Sequence, residues 1–152
     1  MALKSLRLGE LRLVRESSFP APAAYLPACR SPRDAFAFMA PYAAREVAEV
    51  FWIIALNAQH QIIGSAPIAI TRGTLTSSLV HAREVFRAAI VAGAAAVLLC
   101  HNHPSGDPTP SVDDRQVTQM LVEAGKLLDI PVHDHIICGA GRYTSFAESG
   151  LL

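Results

Sequence analysis

The sequence predicts an α/β protein, a three-layer α/β/α sandwich built on a mixed sheet. Three observations carry this reading. Strand-length apolar runs occur at Glu49–Leu56, Gln61–Ile70, Ala94–Leu99 and Ile130–Ile137. Between and before them lie stretches with the spacing of amphipathic helices, starting near Ser31, His81 and Arg115. Half of the 152 residues, 51%, are hydrophobic and only 17% are charged, which suits one compact domain with a sizeable core and is too little chain for two ordinary ones.

Taken in order, Leu11 and Leu13 alternate with Arg12, which suggests an edge strand over 10–15. Residues 19–27 are rich in proline and alanine and read as an extended linker. Residues 1–30 are therefore expected to form an N-terminal strand and linker ahead of a domain over 31–152. Ser31 followed by Pro32 is a helix start, a capping side chain and then proline at the first helical position, and the helix is expected to run to about Ala44. The runs from Glu49 and Gln61 are two strands, joined by a turn at Asn57-Ala58-Gln59-His60. Gly73 interrupts the pattern, and 74–80 reads as a weaker third strand. His81 to Val91 reads as a helix with Val85, Phe86, Ala89 and Ile90 inward. The Ala94–Leu99 strand leads through a loop rich in proline and glycine into a helix over Arg115–Leu128. Ile130–Ile137 is a further strand, turned by Gly139-Ala140-Gly141 into Arg142–Phe146.

Lysines plus arginines equal aspartates plus glutamates at 13 each. That balance leaves no electrostatic footprint for nucleic acid over the whole chain. Cys29, Cys100 and Cys138 are odd in number and form no C-x-x-C pair, which fits free thiols in a reducing compartment. Residues 1–10 interleave charges with leucines and lack the apolar core of a signal peptide. The apolar stretches are too short, and too broken by glycine and proline, to span a bilayer. A soluble, cytoplasmic protein is the expectation.

The chemistry concentrates in Cys100-His101-Asn102-His103-Pro104, continuing to Ser111-Val112-Asp113-Asp114. Side chains two apart on a strand share a face, so His101 and His103 can present two imidazoles to one metal ion. The loop can fold back and deliver a carboxylate from the start of the next helix. Two histidines, one carboxylate and an open position for water make a catalytic zinc arrangement. Zinc lowers the pKa of a bound water to about 7. Asp114 is the third-ligand candidate and Asp113 its competitor. They lie about 100° apart around a helix, so only one should face the ion. Ser111 and Asp114 also read as a capping-box-like pair, and the Ser111 hydroxyl can serve the helix start while facing the substrate carbonyl. Asp107 sits in a turn and reads as a turn-forming residue.

A hydrolase also needs a base, and the loop has no glutamate. Glu49 opens an apolar strand and could stand at its end beside the metal. Glu84, in the first turn of a helix, is the other candidate, although a carboxylate there simply suits the helix dipole. Position favours Glu49. Glu46 reads as a surface residue. His133, Asp134 and His135 form a second His-x-His, without a loop and helix start to add a third ligand. One of these histidines is expected to be a core or supporting group, hydrogen-bonded across the sheet. Cys100 should face away from His101 and pack in the core.

The string His101-x-His103-Pro104, six residues, then Ser111-x-x-Asp114 resembles the JAMM (MPN+) metalloprotease signature. With Arg83-Glu84-Val85-Phe86-Arg87-Ala88-Ala89 before it, and Asp134-His135-Ile136-Ile137-Cys138 and the segment from Tyr143 to Leu152 after it, the chain looks like the RadC family over roughly residues 31–152. The resemblance implies a cytidine-deaminase-like JAMM/MPN fold with a mixed sheet. It implies zinc held by His101, His103 and Asp114, with Ser111 stabilising the tetrahedral intermediate. The JAMM general base is a glutamate ahead of an early hydrophobic strand, which Glu49 matches. Full-length RadC relatives carry an N-terminal helix-hairpin-helix region. The residues ahead of the matching part show no such glycine-rich pattern, so the short form is expected.

Two functions follow as alternatives. The first is a zinc metallopeptidase acting on a peptide or isopeptide bond of a protein or peptide substrate. The second is a non-catalytic accessory of DNA repair or mobile-element DNA processing, with a structural zinc; the neutral net charge speaks against strong DNA binding. The letters His-Asn-His do not make an HNH nuclease, whose motif is spread over a ββα unit. Phe51, Trp52 and Phe146 are expected in the core.

Overall fold

The computed structural model describes residues 28–73 and 80–152. The expected strand over 10–15, the linker over 19–27 and nearly all of the weak strand over 74–80 lie outside the described residues. No described helix is long and apolar enough to cross a membrane.

Helix α1 is Pro32–Ala43, with Ser31 as its N-cap. The Ser31 hydroxyl accepts from the Asp34 N–H at 3.2 Å, and the Asp34 carboxylate accepts from the Ser31 N–H at 3.0 Å. This reciprocal capping box satisfies two amides that have no partner within the helix.

Five strands form one mixed sheet. Strand β1 (Val50–Leu56) lies antiparallel to β2 (Ile68–Arg72) on one side and to β3 (Ala96–Asn102) on the other. Strand β4 (Val132–Cys138) runs parallel to β3, and β5 (Tyr143–Ser145) closes that side antiparallel, giving the order β2-β1-β3-β4-β5. A parallel neighbour needs a long crossover, which α3 (Val112–Leu127) provides between β3 and β4. Helix α2 (Ala82–Val91) links β2 to β3.

Strand β1 is buried along its whole length, as expected of a continuous apolar run covered on both faces. Its alternate residues feed two cores. Trp52, Ile54 and Leu56 pack with Ala35 and Met39 of α1, while Phe51 and Ile53 pack with Val85, Phe86 and Ala89 of α2 and Val117 and Leu121 of α3. The helices therefore cover both faces in three layers, as predicted. The same alternation divides β3. Leu98 and Cys100 join the α1 core, Val97 and Leu99 the opposite one, so His101 faces α2 and α3. Phe51, Trp52 and Phe146 are core residues, as expected.

Two expectations need correction. The run from Gln61 does not form one strand. Gln61 and Ile62 make only isolated bridges, to Ala28 and Leu56, and the ladder with β1 begins at Ile68. The turn before it is present, held by the Asn57 Oδ1, which accepts from the amides of Gln59 and Gln61 at 2.9 Å each. Gly64 then takes a positive φ of 88°, a conformation that carries the chain out of the sheet. The second correction is Ile90, predicted inward but 58% exposed. It lies about 100° round the helix from Ala89, beyond the stripe that Val85, Phe86 and Ala89 present to the core.

The cysteines are all free and buried. Burial raises the Cys29 thiol to about 11 and the Cys138 thiol to about 12, and pushes the Cys100 thiol well above its ordinary value. These are packing residues, as predicted for Cys100.

Candidate metal centre

Strand pairing assembles the centre. Because β1 and β3 are antiparallel, with Phe51 opposite His101, the residue before β1 lies beside the end of β3. That residue is Glu49. Helix α3 then starts over the same strand end and brings in Asp114. Glu49, His101, His103 and Asp114 each offer a ligand atom, and these atoms all lie within 4.8 Å of one another. Among the described residues this is the only such cluster of three or more metal-binding side chains.

The imidazoles meet through their Nε2 atoms, 2.9 Å apart. Asp114 Oδ1 is 3.1 Å from His101 Nε2, and its Oδ2 is 3.4 Å from His103 Nε2. Glu49 Oε1 is 3.9 Å and 3.8 Å from the same two nitrogens. Accessibility is graded across the cluster. The His101 side chain is fully buried and that of Asp114 5% exposed, against 15% for His103 and 19% for Glu49. The centre thus opens to solvent on the Glu49 and His103 side.

Each member is anchored by its own backbone context. The Ser111 hydroxyl accepts from the Asp114 N–H at 3.1 Å, and the Asp114 carboxylate accepts from the Ser111 N–H at 2.7 Å. The helix cap thereby aims Asp114, and Asp113 is not part of the cluster. The Ser111 oxygen spends a lone pair on this cap and keeps its hydrogen to donate. His103 Nδ1 donates to the Asp107 carbonyl at 2.7 Å, which leaves its Nε2 directed into the cluster. Asp107 itself is a turn former, accepting from the Thr109 N–H and hydroxyl. The loop is stapled to the end of β4 by the His103 N–H to the Cys138 carbonyl at 2.9 Å and the Ala140 N–H to the Gly106 carbonyl at 3.0 Å. A Cβ on Gly139 would lie 2.5 Å from the Gly106 oxygen, so only glycine allows the loop this approach.

The electrostatics suit a cation. Burial works against charge on Asp114, but the His101 and His103 imidazoles beside it outweigh burial and hold the carboxyl well below the ordinary carboxylate range. The hydrogen bond with Asp114 raises the His103 imidazole above its usual value, against desolvation. Two imidazole nitrogens and two carboxylates facing one point are all electron-rich donors. A proton or a metal ion relieves their mutual repulsion, and nitrogen and oxygen donors of this kind suit a borderline metal such as zinc. The residues present therefore fit a metal ion.

Glu49, His101, His103 and Asp114 lie in the cluster, with Ser111 against it, while the rival candidates Asp113 and Glu84 lie outside it. Glu84 sits on α2, paired with Arg83 and Arg87, and Glu46 pairs with Arg72. Of the second His-x-His, His133 stacks on His60 with ring centroids 5.1 Å apart. His135 is fully buried, its Nε2 2.8 Å from His101 Nδ1 and its Nδ1 2.6 Å from the Thr118 hydroxyl. Burial and the nearby His101 push its imidazole well below the ordinary value. Asp134 accepts from the Ser145 hydroxyl at 2.6 Å and from the amides of His135 and Ala147, a structural role.

Sequence reasoning passed over Asn102. Its Oδ1 accepts from the Val50 N–H at 2.8 Å, and its amide donates to the Ala48 carbonyl at 3.0 Å. One side chain thus grips the backbone on both sides of Glu49. The signal was its place between the two histidines, pointing to the opposite face. Asn102→Ala leaves the buried Val50 amide unpaired, and a loss of about 1–3 kcal/mol in denaturant unfolding is expected.

A family model described as RadC-like JAB domain matches residues 29–151. The UPF0758 protein STH371 of Symbiobacterium thermophilum is 53% identical over 122 residues, 80% of this chain and 51% of the relative. A UPF0758 protein of Moorella thermoacetica is 47% identical over 123 residues, and one of Methanosarcina acetivorans 45% over 122, covering 81% and 80% of this chain and 53% and 52% of the relatives. The chain spans about half the length of these relatives.

Proposed function

This chain belongs to the RadC-like JAB domain family, and from that premise we propose that it is a zinc-dependent hydrolase of the JAMM type, cleaving a peptide or isopeptide bond in a protein or peptide substrate. The convergence of Glu49, His101, His103 and Asp114 is the observation that carries the reading. His101, His103 and Asp114 would hold the ion. Bound there, zinc supplies Lewis acidity toward water and toward the scissile carbonyl.

The remaining work falls to the chain's own side chains. Glu49, on the solvent-facing side of the cluster, takes a proton from the attacking water and returns it to the leaving amine nitrogen. The products are a carboxylic acid and an amine, so the proton taken is the proton given. Ser111 keeps a hydroxyl hydrogen while its oxygen serves the α3 cap, and it donates that hydrogen to the developing oxyanion. Burial of His101 and Asp114 keeps competing water away from the ligands and strengthens each of these interactions.

Peptide and isopeptide panels test the proposal. Hydrolysis that a chelator abolishes and added zinc restores is the expected result. Cleavage indifferent to chelator, or none with zinc loaded, would contradict it.

A further inference from the structure

We infer that His135, held by Thr118, is the positioning residue that fixes the tautomer of His101 and so aims its Nε2 lone pair at the metal position. The inference rests on the metal-site reading above and deepens it.

The argument is a proton count along a buried chain. The Thr118 hydroxyl lies 2.6 Å from the Asp114 carbonyl and 2.6 Å from His135 Nδ1. A carbonyl only accepts, so the single hydroxyl hydrogen goes to Asp114. Toward His135 the hydroxyl must then accept, which puts the His135 ring hydrogen on Nδ1. His135 is fully buried, and its side-chain hydrogen-bond partners are a hydroxyl and another imidazole. It carries one ring hydrogen, and its Nε2 is an acceptor. At 2.8 Å from that acceptor, His101 Nδ1 must donate. The His101 hydrogen is thereby placed on Nδ1, and Nε2 presents a lone pair toward His103, Asp114 and Glu49.

The register explains how the parts meet. Strands β3 and β4 are parallel with Leu99 opposite His135 and His101 opposite Ile137, which places His101 and His135 on the same face of adjacent strands. Thr118 lies one turn beyond Asp114 on α3, within reach of its carbonyl. Phe51 and Phe146 pack on the His135 ring, with centroids 5.5 Å and 4.8 Å away, so the ring cannot turn without disturbing the core. One hydroxyl thus ties two of the proposed ligands, Asp114 and His101, to a single hydrogen-bond direction.

Thr118→Val removes the hydroxyl while keeping the shape. His135 Nδ1 then has no acceptor, and its hydrogen is free to move to Nε2. Donation from there toward His101 would place the His101 hydrogen on Nε2 and block it. The test measures zinc affinity by chelator competition, and the ring tautomers of His101 and His135 by nitrogen NMR of the metal-free protein, in wild type, Thr118→Val and Thr118→Ser. Expected are a zinc affinity about 10- to 100-fold weaker in Thr118→Val, recovery to near wild type in Thr118→Ser, and His101 protonated on Nδ1 in wild type but not in Thr118→Val. Wild-type affinity in Thr118→Val, or a wild-type His101 protonated on Nε2, would overturn the inference. If wild type binds no zinc, the metal reading fails by itself. The tautomers then decide: a switch in Thr118→Val upholds the relay, and no switch refutes it.

Discussion

Glu49→Gln is expected to lower hydrolytic turnover by about 100- to 10,000-fold, the usual worth of a positioned general base, while zinc content stays at the wild-type level. Glutamine keeps the size and polarity of the side chain but cannot accept a proton from water. Glu49 is the most accessible member of the cluster, which suits a group that meets water and substrate and not the ion alone. Its backbone is gripped on both sides by Asn102, so the substitution should leave the strand end in place. Glu84→Gln is the matched control. Glu84 lies on α2 among arginines, and full activity is expected there. The reverse pattern, with Glu84→Gln inactive and Glu49→Gln active, would remove Glu49 from the role of base.

Asp114→Asn is expected to weaken zinc binding by at least about 100-fold, since even partners that only support a ligand are worth 10- to 100-fold. An asparagine oxygen can still accept from the Ser111 N–H, so the start of α3 and its circular dichroism should persist. The pH dependence adds a second check. Without metal, the Asp114 carboxyl is depressed, so its stabilisation is present above the unfolded value of about 3.9 and is lost as pH falls through the folded value. His103 is raised, so the stabilisation from its charge is present below about 6.5 and is lost as pH rises through the folded value. The pair contributes most between about pH 4 and 6.5. Zinc must displace the His103 proton, so zinc binding should tighten as pH rises through the raised His103 value and then level off. In Asp114→Asn, with the raising partner gone, levelling should begin at lower pH. Zinc affinity that is flat from about pH 6 to 8 in wild type would contradict this account.

What was legible in the sequence is what local chemistry determines. Ser31-Pro32 and Ser111-x-x-Asp114 announce helix starts because a cap needs only residues three apart. The run from Glu49 to Leu56 reads as a strand because both its faces are covered. The His101 and His103 pair is visible because strand alternation alone puts them together. Partners set by pairing were harder to see. Glu49 could be favoured by position, but only the antiparallel register of β1 on β3 brings it beside His101. The start of β2 only at Ile68 goes with the break at Gly64, which an apolar count does not reveal. Asn102 and Thr118 carry no motif at all. Their roles appear only when the Val50 amide, the Asp114 carbonyl and the His135 ring are in place.

The most direct measurement is metal content by elemental analysis, on protein purified without a metal-affinity tag, for wild type and for His101→Ala combined with His103→Ala. About one zinc per wild-type chain, lost in the double variant, is the predicted result. A wild-type protein that holds no metal even after reconstitution with zinc would contradict the account at its centre.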